Sequence, residues 1–145
     1  MPDGRFTNYA LDRMVSFSVA EDIEFMPCPI DIDEHYDDII GVTYISDAPV
    51  ETVIFAGSPR EIQFILTKPL HWTQKRPSIE EQARLHEEYP NVPEDWIFLT
   101  IECKWNFELI TTLFSFGERI FVVAPDRVVS DIYNKLRSMG ELYKL

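Results

Sequence analysis

At 145 residues, 46% hydrophobic and 13% aromatic, the chain can enclose one ordinary core, or one core and a small appendage, and its composition excludes a disordered polymer. Its 25 acidic against 13 basic side chains give a formal charge of −12, and Lys75-Arg76 is the only adjacent basic pair, which weighs against duplex DNA binding by this segment. Cys28 and Cys103 have neither metal-ligand spacing nor the density of a disulfide framework; no apolar stretch approaches ~18 residues and no basic flank leads into one, so the reading is no membrane span, no signal peptide and a cytoplasmic protein.

In chain order, Pro2-Asp3-Gly4 predicts a turn. Residues 13–19 then alternate, Val15, Phe17 and Val19 on one side and Ser16 and Ser18 on the other, as a half-exposed strand does. Pro27-Cys28-Pro29 breaks any ladder, because neither proline donates a backbone N–H. Asp31 to Gly41 is an acidic stretch with room for one or two helical turns ending at Gly41, and residues 27–48 mark a boundary between two units. Val50 to Ala56 is a predicted strand. Ser58-Pro59-Arg60-Glu61 supplies an N-cap hydroxyl, a proline at the first helical position and a glutamate three after the cap. The helix it opens carries Ile62, Ile65 and Leu66 on one stripe and stops before Pro69.

A short strand is expected at His71 to Lys75. Ser78-Ile79-Glu80-Glu81 repeats the capping-box pattern and opens a mostly charged helix to about Glu88, read as a surface insertion over residues 76–94. Residues 96–105 form the clearest strand, with Ile97, Leu99, Ile101, Cys103 and Trp105 facing one way and Phe98 among those facing the other. Asn106 is the N-cap of the next helix, whose Leu109, Ile110, Leu113 and Phe114 face the core before Gly117 ends it in a left-handed turn. Ile120 to Ala124 reads as a buried strand, and Pro125-Asp126 opens a last helix bearing Val129, Ile132, Tyr133, Leu136, Met139 and Tyr143 at helical spacing.

From residue 49 onward the predicted class is therefore α+β: two interlocked βαβ halves, βαββαβ plus a C-terminal helix, in the ferredoxin-like split βαβ sandwich. Both internal helices belong on one face of its sheet. The other face is left for a partner, a ligand or the terminal helix, and Phe98 on that side predicts that it is at least partly covered.

Three strings occur in fixed order: Tyr9-Ala10-Leu11-Asp12-Arg13-Met14, Pro69-Leu70-His71-Trp72-Thr73-Gln74, and Phe116-Gly117-Glu118-Arg119 through Pro125. Together with Ile40-Gly41-Val42 and Asn106-Phe107-Glu108-Leu109 they make the chain similar to the C-terminal half of bacterial WYL-domain transcriptional regulators. The resemblance implies a remnant strand of an SH3-like WYL barrel over residues 1–26, a linker over 27–48 and the ferredoxin-like WYL C-terminal extension over 49–145. It implies a cytoplasmic effector-sensing and oligomerisation segment, a homo-oligomer, a small-molecule or nucleotide effector, and DNA contact only through an N-terminal winged helix-turn-helix that this sequence lacks, so the chain is expected to be part of a longer architecture. The helix at 76–94 departs from the family, where a short hairpin connection is usual.

The resemblance places one sensing residue by position, Arg13, which would be directed into a ligand cleft, where a guanidinium fork suits phosphate or carboxylate oxygens. The plainer reading pairs Arg13 with Asp12 or a linker acid. His71 and Gln74 are candidate ligand contacts at the sheet edge, or satisfy local backbone groups. Asp31, Asp33, Glu34, His35, Asp37 and Asp38 fit neither an EF-hand loop nor a zinc motif and read as a solvated acidic linker, so no metal or other cofactor is expected. Trp72, Trp96 and Trp105 could stack on bases, but the basic neighbours such a platform needs are sparse, which favours packing. No phosphate loop, nucleophile elbow or activated Cys or Ser supports catalysis. A stand-alone ferredoxin-like receptor for a small molecule is the alternative function.

Overall fold

The computed structural model describes residues 9–144. The turn expected at Pro2-Asp3-Gly4 lies outside them. The fold is mixed α+β: α1 (Ile32–Tyr36), β1 (Val50–Gly57), α2 (Pro59–Thr67), α3 (Ile79–Glu88), β2 (Ile97–Lys104), α4 (Phe107–Phe114), β3 (Ile120–Ala124) and α5 (Asp126–Tyr143), with 3-10 turns at Leu11–Arg13 and Gly117–Arg119. The strands form one sheet in the order β2-β1-β3, and β1 runs antiparallel to both neighbours.

Register divides the sheet into two faces. Val53 pairs with Ile101 and Phe55 with both Leu99 and Val122, so these side chains share one face, and there Ile62 and Ile65 of α2 and Leu109 and Leu113 of α4 close the main core. Both internal helices lie on this side, as their single apolar stripes require. The terminal helix joins them, with Val128 buried and Val129 and Ile132 packed on the same cluster.

The opposite face carries Ala56, Phe98 and Val123 and is covered by the segment after α2: Leu85 of α3, Tyr89 just past its end, Val92 and Trp96. Phe98 is fully buried, as its neighbours on a covered face should be. The helix read as a surface insertion is therefore a structural layer. Its apolar content is small because it contributes one packed apolar side chain, Leu85, and two hydrogen-bonding ones, Gln82 and His86, which reach the backbone of Phe98 and Trp96.

Local signals behave unevenly. Asn106 caps α4 by accepting from Leu109 N at 2.9 Å, and Ser78 with Glu81 completes a full capping box on α3. Gly117 (φ +61°) takes the left-handed conformation expected after α4, and Gly41 (φ +78°) shares it, although α1 ends earlier, at Tyr36. Ser58 corrects the expectation. Its hydroxyl makes no cap bond and donates instead to the Glu61 carboxylate, which Arg119 holds from the other side at 3.2 Å.

Two strand expectations are also corrected. Residues 13–19 form no strand: among the described residues no strand lies next to them, and alternation selects a face but cannot supply the neighbour that satisfies a ladder. Val15, Phe17 and Val19 are 101%, 91% and 87% exposed. The strand at His71 to Lys75 contracts to one antiparallel bridge, Lys75 with Thr100, because His71 to Gln74 closes a turn (Gln74 N to His71 O, 3.1 Å).

Candidate functional site

The three residues singled out from sequence do not converge. Arg13 closes the 3-10 turn with its backbone N–H on Ala10 O (3.1 Å), and the residue is exposed. Among the described residues no hydrogen bond or ion pair joins it to His71 or Gln74.

His71 is buried, and its ring is occupied at both nitrogens. Nε2 donates to Asp37 O at 2.9 Å, which fixes a proton there because a carbonyl only accepts, and Nδ1 shares a hydrogen bond with Thr73 Oγ1 at 2.7 Å. Gln74 spans two segments: Oε1 accepts from Leu70 N (2.9 Å) and Nε2 donates to Ile65 O (3.4 Å). Both side chains thus tie backbone to backbone. Exposed Trp72 adds a second donor to Asp37 O (3.0 Å).

These bonds belong to a larger clamp on the segment before β1. Asn106 Nδ2 donates to Ile40 O (2.8 Å) and Thr43 O (3.2 Å), and Glu108 Oε1 accepts from Thr43 N (3.1 Å) and Thr43 Oγ1 (2.7 Å). Gly41 passes so close to Glu108 that an added Cβ would lie 2.5 Å from its Cγ. Burial opposes the charge on Glu108, but the Thr43 and Val42 hydrogen bonds outweigh it and hold the carboxyl below its ordinary value. Lys104 completes the clamp against Asp38 Oδ2 (3.7 Å) and over the Tyr44 ring (4.5 Å). The acidic stretch is therefore anchored, not merely solvated. Among the described residues no group of three or more His, Cys, Asp or Glu could hold a metal ion, and no helix is long and apolar enough to cross a membrane.

The sheet's two edges differ sharply. Along the outer edge of β2 every second residue has a partner: Phe98 pairs with the Gln82 side chain, Thr100 with the Lys75 backbone, Glu102 with Thr73 Oγ1 at 2.9 Å both as donor and acceptor, and Lys104 N with Asp38 O at 2.7 Å. That edge is closed to further pairing. The outer edge of β3 has no hydrogen-bonding partner among the described residues.

Beside this open edge lies a groove of about 690 Å³. Leu113, Ile120, Val122, Ile132, Leu136 and Met139 line one flank, and Trp96, Pro93 and Phe121 the other. Its origin is a mismatch of lengths. The five residues of β3 extend about 17 Å, whereas the 18 residues of α5 extend about 27 Å, so the last turns of the helix overhang the sheet. Met139, about 20 Å along the helix, lies past the length of the strand, and Tyr133, Leu136 and Met139 are 63%, 51% and 48% exposed. Among the described residues no Lys or Arg lines the groove, and its ionisable groups are Glu118 and Tyr133. Sequence reading placed Tyr133, Leu136 and Met139 on a helix face but missed the groove. The signal available was the short strand feeding a long amphipathic helix.

Compared with models of protein families and with curated proteins, the chain finds no match in either set.

Proposed function

We propose that this chain is an assembly and effector-sensing segment of a WYL-type bacterial transcriptional regulator, acting in the cytoplasm and reaching DNA only through a separate winged helix-turn-helix domain. Its fold is a ferredoxin-like split βαβ sandwich whose second strand has shrunk to the Lys75–Thr100 bridge. The order bridge-β2-β1-β3, with α2 and α4 on one face, supports this topology, since two interlocked βαβ units yield that arrangement. No catalytic role is proposed.

The observation that carries the assembly reading is the β3 edge, unpaired among the described residues and flanked by an apolar groove, on the side of the sheet opposite the blocked edge of β2. Monomeric proteins cover or charge such an edge, and large apolar grooves beside one mark a place where something docks. Light scattering of the purified chain is expected to give a dimer or higher assembly; a strict monomer at tens of micromolar removes this reading.

The groove's volume favours one second reading, a stand-alone small-molecule receptor, because ligand pockets span roughly 300–1,000 Å³. Its lining, without a cation, suits an apolar ligand and not a nucleotide. Thermal-shift measurements separate the two readings: a receptor gains stability from one ligand class by mass action, and an assembly segment gains it from its own concentration.

A further inference from the structure

Among the described residues the outer edge of β3 has no partner strand, and residues 14–20 of the same chain alternate like a strand but pair with none. We propose that residues 14–20 of a second copy add to β3 as an antiparallel strand, seating Val15, Phe17 and Val19 in the groove. The inference rests on the assembly reading above and specifies its contact.

Four observations converge on this occupant. The segment alternates with period 2, and its three apolar side chains are almost wholly exposed where they stand. A strand added to β3 would direct them to one face, toward Ile120, Val122 and Leu136, and turn Ser16 and Ser18 to the other. Seven residues cover an edge of five.

Charge agrees at both ends. Arg13 precedes the segment and Glu21-Asp22 follow it, while exposed Arg119 precedes β3 and exposed Asp126 follows it. An antiparallel arrangement sets Arg13 near Asp126 and the acidic pair near Arg119. A parallel one would bring Glu21-Asp22 to the Asp126 end.

We assign the donor to the neighbouring copy because in the single chain the segment lies off its own sheet, with Val15, Phe17 and Val19 exposed. The chain after it is fastened at Asp37 and Asp38 to Trp72, His71 and Lys104, along the β2 side of the sheet, whereas the receptive edge is on the β3 side. Reciprocal exchange between two copies uses each segment and each edge once and closes with two-fold symmetry.

The test uses the full chain, Phe17→Asp, Leu136→Asp and an equal mixture of the two variants, followed by sedimentation velocity and amide hydrogen exchange. Phe17 is exposed in the single chain, so its replacement spares the fold. Wild type should dimerise with alternate amides of residues 15–19 protected, and each variant should dimerise at least about tenfold more weakly, the scale for losing one buried large side chain. The mixture should partly recover, because the Phe17→Asp copy keeps its groove and the Leu136→Asp copy keeps its donor segment. If Phe17→Asp dimerises like wild type, strand addition is overturned and the assembly reading survives. A monomeric wild type overturns both, whether or not residues 15–19 are protected within the single chain.

Discussion

The side-chain amide of Gln82 hydrogen-bonds both backbone groups of Phe98, Nε2 donating to the carbonyl at 2.8 Å and Oε1 accepting from the N–H at 2.9 Å. A primary amide has the same donor and acceptor pair as a peptide unit, so Gln82 stands in for one residue of a missing neighbouring strand. Thr73 Oγ1 likewise accepts from Glu102 N, and its one proton lies within reach of both Glu102 O and His71 Nδ1. The edge of β2 is thereby finished with side chains from a helix and a turn, and needs no fourth full strand to satisfy it.

Gln82→Glu should expose the value of that imitation. The carboxylate can still accept from Phe98 N but cannot donate, so the carbonyl of a buried residue is left facing an acceptor. A loss of roughly 1–3 kcal/mol in urea unfolding is expected, the usual cost of an unsatisfied buried polar group. Gln82→Ala should in addition make the Phe98 amide exchange rapidly with solvent, a local readout that a change in global stability alone would spread over all core amides.

Asn106 joins two functions that substitution can separate. Its Oδ1 caps α4, and its Nδ2 holds Ile40 O and Thr43 O, 66 and 63 residues earlier in the chain. Asn106→Asp retains the capping acceptor and removes the donor, and Asn106→Ala removes both. The alanine variant loses a cap worth about 1 kcal/mol, whereas the aspartate variant turns a buried acceptor toward two carbonyl oxygens at a cost of roughly 1–3 kcal/mol, so the aspartate variant should be the less stable of the two. Both should release residues 38–44 from protection against amide exchange, because the clamp donor is gone in each.

Three glutamates make stability depend on pH. The Ser58 hydroxyl and Arg119 lower Glu61, the Ser78 backbone and hydroxyl lower Glu81, and the Thr43 and Val42 bonds lower Glu108 against its burial. Each carboxyl is held below the ordinary value of 4.5 in the folded chain, so the unfolded chain binds more protons as the solution is acidified. Their contribution is complete above about 4.5 and is lost as pH falls from there through the lower folded values. Urea midpoints should be flat from pH 7 to about 5.5 and then decline. Glu61→Gln, Glu81→Gln and Glu108→Gln should each lower the midpoint at neutral pH and flatten the decline; an unchanged slope in all three would contradict this account.

What sequence conveyed and what it withheld follow the range of each interaction. Ser78 with Glu81, and Asn106 with Leu109, act within one helical turn, so their pattern was readable. Ser58 presented the same local signature as Ser78, yet Arg119 fixes Glu61 from 58 residues away and the hydroxyl follows the carboxylate. Alternation at 13–19 was real, but pairing needs a neighbour that no local pattern supplies. His71 and Gln74 stood out by their motif, and only the fold reveals that Asp37 O and Ile65 O occupy them. The groove was half-legible: the spacing of α5 gave its apolar face, and only the packed sheet shows which of those residues stay uncovered.

The two cysteines should behave oppositely in a native thiol titration. Cys103 lies in β2 within the main core, and burial, with a smaller contribution from Asp38, pushes its thiol up to about 12. At pH 8 almost none of it is thiolate, and the reactive species is the thiolate. Cys28 is exposed between two prolines, ahead of α1. One thiol should therefore react quickly with a disulfide reagent under native conditions, and the second only as the chain unfolds, at a rate that reports opening of the sheet. In the Gln82→Ala variant the second rate should rise, since loosening the β2 edge lowers the cost of exposing Cys103; two equally fast thiols in the native wild type would mean that β2 is not the sealed strand its hydrogen bonds describe.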